Sequence, residues 1–222
     1  MMNQKSVVIG IVGASGSGKS CLADTLTHEF GSDQVVIIHE DSYYKARTGV
    51  SAEERATINY DHPSAFDHDL MLEHLRDLQA GRDIEVPMYD YSVHDRLAQT
   101  RQVGQHRITI LEGILLFVDP RIRDLIDVRI FMDAPLDICL IRRLQRDMKE
   151  RNRSFDSVIE QYRATVRPMF LQFIEPSKLY ADIIIPRGGK NRIAIDMIKA
   201  KMRELLGNTI PPIRQGIESE IG

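Results

Sequence analysis

Gly13-Ala14-Ser15-Gly16-Ser17-Gly18-Lys19-Ser20 follows the apolar run Val7-Val8-Ile9-Gly10-Ile11-Val12 and precedes a helical pattern, Cys21-Leu22-Ala23-Asp24-Thr25-Leu26-Thr27-His28-Glu29-Phe30. The octapeptide is G-x-x-x-x-G-K-[ST] in the strand–loop–helix setting its mechanism requires. Its glycines let successive backbone N–H groups turn inward around a phosphate with no Cβ in the way. The helix that follows aims its positive dipole end at the same anion. Lys19 is spaced to reach the β- and γ-phosphates, and the Ser20 hydroxyl to ligate Mg²⁺. The stretch from Gly13 to Cys21 therefore predicts a binding site for a nucleoside triphosphate.

Outward from that loop, the 222 residues suit one α/β domain able to bury a full core. The net charge is −3 and the charges are dispersed, so nothing global favours a nucleic acid or an anionic membrane as partner. No stretch is long and apolar enough to span a bilayer, and the first residues lack a signal-peptide layout. A cytoplasmic enzyme is the expected class. The two cysteines, Cys21 and Cys139, fall at apolar helical positions and form no disulfide framework or metal spacing.

Apolar β-branched runs alternate with amphipathic helical stretches, which predicts a parallel sheet covered on both faces. Strands are expected at 6–12, 34–39, 107–111, 128–132 and 182–186, with helices at 19–30, 66–80, 120–126, 135–150, 154–174 and 190–206. Residues 84–105 interrupt the alternation with a polar stretch holding Pro87 and Gly104, expected to form short strands or an inserted hairpin. Residues 208–222 show no period and are expected to form a flexible tail beyond a single domain at 1–207.

Ligands of such sheets lie outside the carboxyl ends of the strands, which nominates the residues that follow each one. These are the phosphate loop, Glu40-Asp41-Ser42-Tyr43-Tyr44, Glu112-Gly113, Asp133-Ala134-Pro135 and Arg187-Gly188-Gly189-Lys190-Asn191. Glu112 is placed to serve Mg²⁺ beside Ser20, or else to cap the next helix. Asp41 is the candidate base for an attacking hydroxyl, or else a turn cap. The stretch 142–153 carries six basic residues against two acidic ones, with Arg143 and Arg146 on one helical face. It reads as an arginine lid over a triphosphate, as a solvated face with pairs such as Arg143–Asp147, or as an RNA-binding helix, the last disfavoured by the acidic net charge. Tyr60-Asp61-His62-Pro63 and Tyr89-Asp90-Tyr91 with His94 offer aromatic faces and hydrogen-bonding groups of the kind a base and a sugar need.

The order and wording of these motifs resemble the bacterial uridine kinases (uridine–cytidine kinases), a branch of the P-loop kinases. The matching stretches are Gly10–Ser20, Glu40–Lys45, Asn59–Asp67, Pro87–Tyr91 with His94 and Arg96, Glu112–Leu115, Arg142–Asp147, Gln161-Tyr162, Phe173–Lys178 and Tyr180–Gly189. The likeness runs from about residue 6 to about 206. It implies an α/β P-loop fold with a parallel sheet, a small inserted β-hairpin and an arginine-rich helical lid at about 142–154. The implied activity is transfer of the γ-phosphoryl group of ATP or GTP, with Mg²⁺, to the 5′-hydroxyl of uridine or cytidine in a homotetrameric cytoplasmic enzyme of pyrimidine salvage.

Carried over by position, Asp41 resembles the catalytic aspartate at the 5′-hydroxyl and Asp61 the carboxylate that grips the ribose. Arg143 and Gln161 resemble residues placed toward the nucleoside as well. Tyr89 and His94 resemble base-side groups, with Tyr44, Tyr60 and Tyr91 completing the wall. Arg146 and Arg153 resemble lid residues over the phosphates, and Gly189 lies in a loop toward the donor purine. The chain departs from the usual pattern at Glu40, where relatives often have glutamine. It departs also at Asn152, where the lid commonly has glycine, and at Cys21. Asparagine tolerates left-handed backbone angles, so the lid turn is expected to survive. The D-x-x-G and N-K-x-D signatures of guanine-nucleotide switches are absent from the sequence. A kinase of the same branch acting on a sugar phosphate or pantothenate is the nearest alternative.

Overall fold

The computed structural model of the chain describes residues 6–207. In chain order its strands are β1 (Val7–Gly13), β2 (Val35–His39), β3 (Ile84–Asp90), β4 (Asp95–Val103), β5 (Ile108–Gly113), β6 (Val128–Asp133) and β7 (Ile183–Pro186). β2, β5, β1, β6 and β7 form one parallel sheet in that spatial order, and β3 pairs with β4 in a separate antiparallel hairpin. The five apolar runs thus become the sheet, and the interrupting stretch becomes the hairpin. Pro87, which has no N–H to give to the ladder, lies at the irregularity between Pro87 and Tyr89.

The helices are α1 (Lys19–Phe30), α2 (Ala52–Ala56), α3 (His68–Gln79), α4 (Pro120–Arg123), α5 (Leu136–Glu150), α6 (Phe155–Gln161), α7 (Arg167–Met169), α8 (Glu175–Ser177) and α9 (Arg192–Leu205). Three sequence expectations change. The helix expected from 66 begins at His68, because the Asp67 carboxylate accepts the Leu70 N–H and caps it there. The one expected at 120–126 closes after Arg123, and the chain then turns so that Asp127 accepts the Val8 N–H at 2.8 Å. The span 154–174 is helical but runs through α8, with π turns at Tyr162–Val166 and Phe170–Ile174. Each π turn comes just before a proline, Pro168 or Pro176, whose ring would collide with the carbonyl one regular turn back. The short α2 was not anticipated, although Ser51 and Glu54 form its capping box.

Alternate residues of β1 enter opposite layers of the core. Val8 and Val12 pack with Ile38, Leu111, Phe117 and Phe131, whereas Ile9 and Ile11 pack with Leu22, Leu26, Ile110 and Ile130. Burial on both faces is what the unbroken apolar run of β1 requires. It holds the carboxyl ends of β1, β2 and β5 as a rigid rim, and the candidate site is built on that rim. No helix among the described residues is long and apolar enough to cross a membrane.

Candidate active site

The loop between β1 and α1 is held open by glycine. Gly16 and Gly18 have φ of 86° and 99°, left-handed values that side-chain-bearing residues rarely adopt. A Cβ on Gly18 would sit 2.9 Å from the Gly189 nitrogen, and one on Gly16 would run into the Cys139 carbonyl. α1 follows Gly18, which gives it no side-chain cap, and has no acid in its first turn, so its positive end faces no carboxylate of its own. Lys19 is buried, donates to the Ala14 carbonyl at 3.1 Å and lies 3.8 Å from Glu112.

At the end of β5, Glu112 accepts from Ser20 Oγ at 3.2 Å and pairs with His39 Nδ1 at 2.9 Å. Burial pushes this carboxyl up, but the His39 hydrogen bond and the charges of Lys19 and His39, with the Ser20 bond, outweigh it and hold the group below the usual range. The same bond raises His39. Ser20 and Glu112 therefore present a hydroxyl and an ionised carboxylate side by side. Among the described residues no group of three or more His, Cys, Asp or Glu is arranged to hold a metal. The donor set fits an ion that takes most of its ligands from phosphate and water.

Beside the loop lies a cavity of about 430 Å³, in the range of small-molecule sites. Ser15 of the phosphate loop, Asp41, Asp61, the tyrosines Tyr44, Tyr60, Tyr89 and Tyr91, His94, Arg143, Arg146, Arg153 and Gln161 all line it. Sequence reading named these residues from stretches far apart in the chain, and the fold brings them to one space. Asp41 sits on a 3₁₀ turn, Glu40–Tyr43, directly after β2, and accepts the Tyr91 hydroxyl at 2.7 Å. Replacing Tyr91 with Phe is expected to lower turnover about two- to tenfold, the worth of one hydrogen bond, as steady-state kinetics would read it.

Asp61 is buried, and burial raises its carboxyl above the ordinary value against the opposing pull of Arg143 and a 3.2 Å bond from Thr165. Tyr60 and His94 stack at 5.1 Å between centroids with 22° between planes. Burial, then Arg153 and Arg151, push the His94 imidazole below its ordinary value, so it is neutral at pH 7 and has one donor and one acceptor nitrogen. His94 also stands at φ 52° in the β3–β4 turn.

The arginines converge on Asp147. This fully buried carboxylate lies 3.4 Å from Arg143 Nε, 2.8 Å from Arg146 Nη2, 3.6 Å from Arg151 and 3.8 Å from Arg153. The Arg143–Asp147 pair is thus interior rather than the solvated helix face that its spacing also allowed. Cys139, Arg143 and Asp147, four residues apart, make the buried stripe of α5. Arg146 reaches Ser15 Oγ at 3.5 Å, toward the phosphate loop, whereas Arg153 bonds Gln161 and Ser157. Asn152 takes φ 50°, the left-handed angle that the turn was expected to need.

The segment around Gly189 packs on the phosphate loop, and Cys21 is exposed beside it. Asp133, nominated by its place after a strand, is instead bonded to Lys178 at 2.7 Å and does not line the cavity.

The sequence description of the phosphoribulokinase/uridine kinase family matches residues 8–194. The chain belongs to this family. Its relatives in the family include a uridine kinase from Tolumonas auensis, 59% identical over 208 residues, with 92% of this chain and 97% of that one covered. A uridine kinase from Shewanella amazonensis is 56% identical over 210 residues, covering 93% and 99% of the two chains. Among solved structures, phosphoribulokinase from Rhodobacter spheroides matches with a TM-score of 0.61 at 16% identity, covering 83% of this chain and 71% of that one. At that identity the likeness concerns the fold, which is that of the P-loop kinases.

Sequence reading missed several residues of the candidate site. Arg151 stacks its guanidinium 3.9 Å from the centre of the Tyr91 ring, and Ser92 and Ile114 also line the cavity. Arg142 donates to the Gly16 carbonyl at 3.2 Å and ties α5 to the phosphate loop. Arg142 and Arg151 stood in the basic stretch, but nothing local distinguished them from its exposed charges.

Proposed function

We propose that the chain is a uridine/cytidine kinase that moves the γ-phosphoryl group of ATP or GTP to the nucleoside 5′-hydroxyl, giving UMP or CMP for pyrimidine salvage. One observation carries the reading: Ser15 of the phosphate loop, the Asp41 carboxylate and the tyrosine–histidine wall line the same cavity. The high identity to uridine kinases over nearly the whole chain supports it.

In this reading the 5′-oxygen attacks the γ-phosphorus, the bond from that phosphorus to the β-bridging oxygen breaks, and the nucleoside diphosphate leaves with the electron pair. Asp41 aligns the hydroxyl and receives its proton. Lys19 and Arg146 stabilise charge on the transferring group, and the loop N–H groups hold the β-phosphate. Ser20 and Glu112 would hold Mg²⁺, which when bound neutralises phosphate charge. Asp61 grips the ribose hydroxyls, with Arg143 and Gln161 beside it. Tyr89 and His94 meet the base, and Tyr44, Tyr60 and Tyr91 close the wall. Gly189 and its neighbours border the donor purine, and Arg153 completes the lid. The domain spans 1–207, with an inserted hairpin at about 84–105 and the lid at about 142–154. A cytoplasmic homotetramer with no nucleic-acid or membrane partner completes the proposal. The tail expected at 208–222 lies outside the described residues.

The wall favours a neutral aromatic base over a phosphorylated acceptor, which would need an anion site of its own. Competition binding tests this: uridine should displace a labelled cytidine analogue, and a sugar phosphate should not. Displacement by the sugar phosphate alone would overturn the acceptor. Because a carboxylate at the ribose loses a charge-assisted bond when a hydroxyl is missing, 2′-deoxyuridine should show kcat/KM lower by about 10–100-fold.

A further inference from the structure

Glu40 is fully buried yet does not line the cavity. One of its oxygens, Oε2, accepts the backbone N–H groups of Ile114 at 2.6 Å and Leu115 at 2.8 Å. The other, Oε1, pairs with His68 Nε2 at 2.9 Å. His68 opens α3 and turns its second nitrogen toward Asp119 at 3.7 Å, with the Phe66 ring stacked 5.5 Å away. Burial alone would lower this imidazole, but the Glu40 bond and the Glu40 and Asp119 charges raise it.

A buried carboxylate is costly unless its lone pairs are filled, and here the two N–H groups and the imidazole fill them. The groups it binds matter to the reaction. Ile114 and Leu115 follow directly on Glu112 and Gly113 at the end of β5, and Glu40 is the residue before Asp41. In the parallel register His39 stands opposite Glu112, and their side chains are bonded as well. Successive residues His39, Glu40 and Asp41 therefore hold Glu112, hold the chain just past it, and face the cavity. Gly113 is required by this arrangement, because a Cβ there would lie 2.5 Å from the Glu40 Cβ.

We propose that Glu40, braced by His68, is a positioning residue that fixes the turn carrying Asp41 against the end of β5 and so sets Asp41 relative to the phosphate loop. The inference rests on the kinase reading above. Glutamine at position 40 keeps an acceptor for the two N–H groups, and its amide can donate to a neutral His68, so it should preserve the brace. Alanine should not.

The test compares wild type, Glu40→Ala and Glu40→Gln, with kcat and KM for uridine and the ADP dissociation constant measured for each. Wild type inactive on uridine would fail the kinase reading itself, whatever the variants do. With wild type active, Glu40→Ala is expected to lower kcat about 10–100-fold, the cost of misplacing a reacting group by about an ångström. Uridine KM and ADP affinity should stay within about threefold, and Glu40→Gln should recover kcat to within about fivefold. If Glu40→Ala does not yield folded protein, Gly113→Ala crowds the same side chain from the other side and should give the same kcat-selective loss. Wild-type kcat in a folded Glu40→Ala or Gly113→Ala protein would overturn the proposal. So would a Glu40→Gln protein as impaired as Glu40→Ala.

Discussion

Asp41→Asn is expected to cut turnover on uridine by about 10²–10⁴-fold while leaving ADP affinity within about threefold. The amide is the same size as the carboxylate and can still accept the Tyr91 hydroxyl, so the 3₁₀ turn and the cavity should keep their form. What it lacks is a negative charge to align the 5′-hydroxyl and a basic oxygen to take its proton. A loose phosphoryl-transfer transition state makes alignment the larger part of that loss. Lys19, Ser20 and the loop N–H groups are untouched, which is why nucleotide binding should survive. Steady-state kinetics with titration calorimetry would check both halves, and unchanged turnover would remove Asp41 from the mechanism.

Lys19→Ala should weaken both halves together. Its ammonium is buried on the phosphate loop, 3.1 Å from the Ala14 carbonyl and 3.8 Å from Glu112. In the proposed reaction it is the loop's own cation for the β- and γ-phosphates. Removing one preorganised group that stabilises transition-state charge costs about 10²–10³-fold in rate. The same truncation takes an ion-pair partner from the largely buried Glu112 carboxylate, which keeps its hydrogen bonds with His39 and Ser20, and so disturbs the neighbouring donor set. The expected result is a kcat/KM for ATP lower by about 10³-fold, with a clearly weaker ADP dissociation constant. A variant that binds ADP and turns over like wild type would show that Lys19 does not meet the phosphates.

These two residues were legible in the sequence for different reasons. Lys19 is fixed by a short motif whose glycines have one geometric purpose, and the left-handed angles at Gly16 and Gly18 are that purpose realised. Asp41 needed the rule that ligands gather at the carboxyl ends of strands, and the strands themselves stood out as β-branched runs buried on both faces. The cavity wall was legible only through the resemblance in motif order, since a tyrosine in a loop carries little information alone.

What stayed hidden depends on contacts that no local pattern encodes. Glu40 bonds backbone groups more than 70 positions along the chain, so its sequence neighbours give no hint that its carboxylate is buried. Asp147 has the spacing of a surface ion pair, and only the convergence of Arg143, Arg146, Arg151 and Arg153 on it shows that it is interior. The π turns reconcile a helix with Pro168 and Pro176, an accommodation that propensity alone does not foresee. By contrast, the α2 capping box was present in plain residues, Ser51-Ala52-Glu53-Glu54, and went unread.

In the proposed reaction this cavity presents a pyrimidine ribonucleoside to the γ-phosphate of a nucleotide held on Gly13–Ser20. The most direct measurement is a Mg²⁺-dependent phosphorylation assay with ATP and GTP. It would be run against uridine, cytidine, their 2′-deoxy forms, adenosine, pantothenate and a pentose phosphate. Efficient phosphorylation of uridine or cytidine is expected, with much lower kcat/KM on the deoxy forms and none on the others. Turnover confined to pantothenate or the sugar phosphate, with both pyrimidine ribonucleosides untouched, would contradict it.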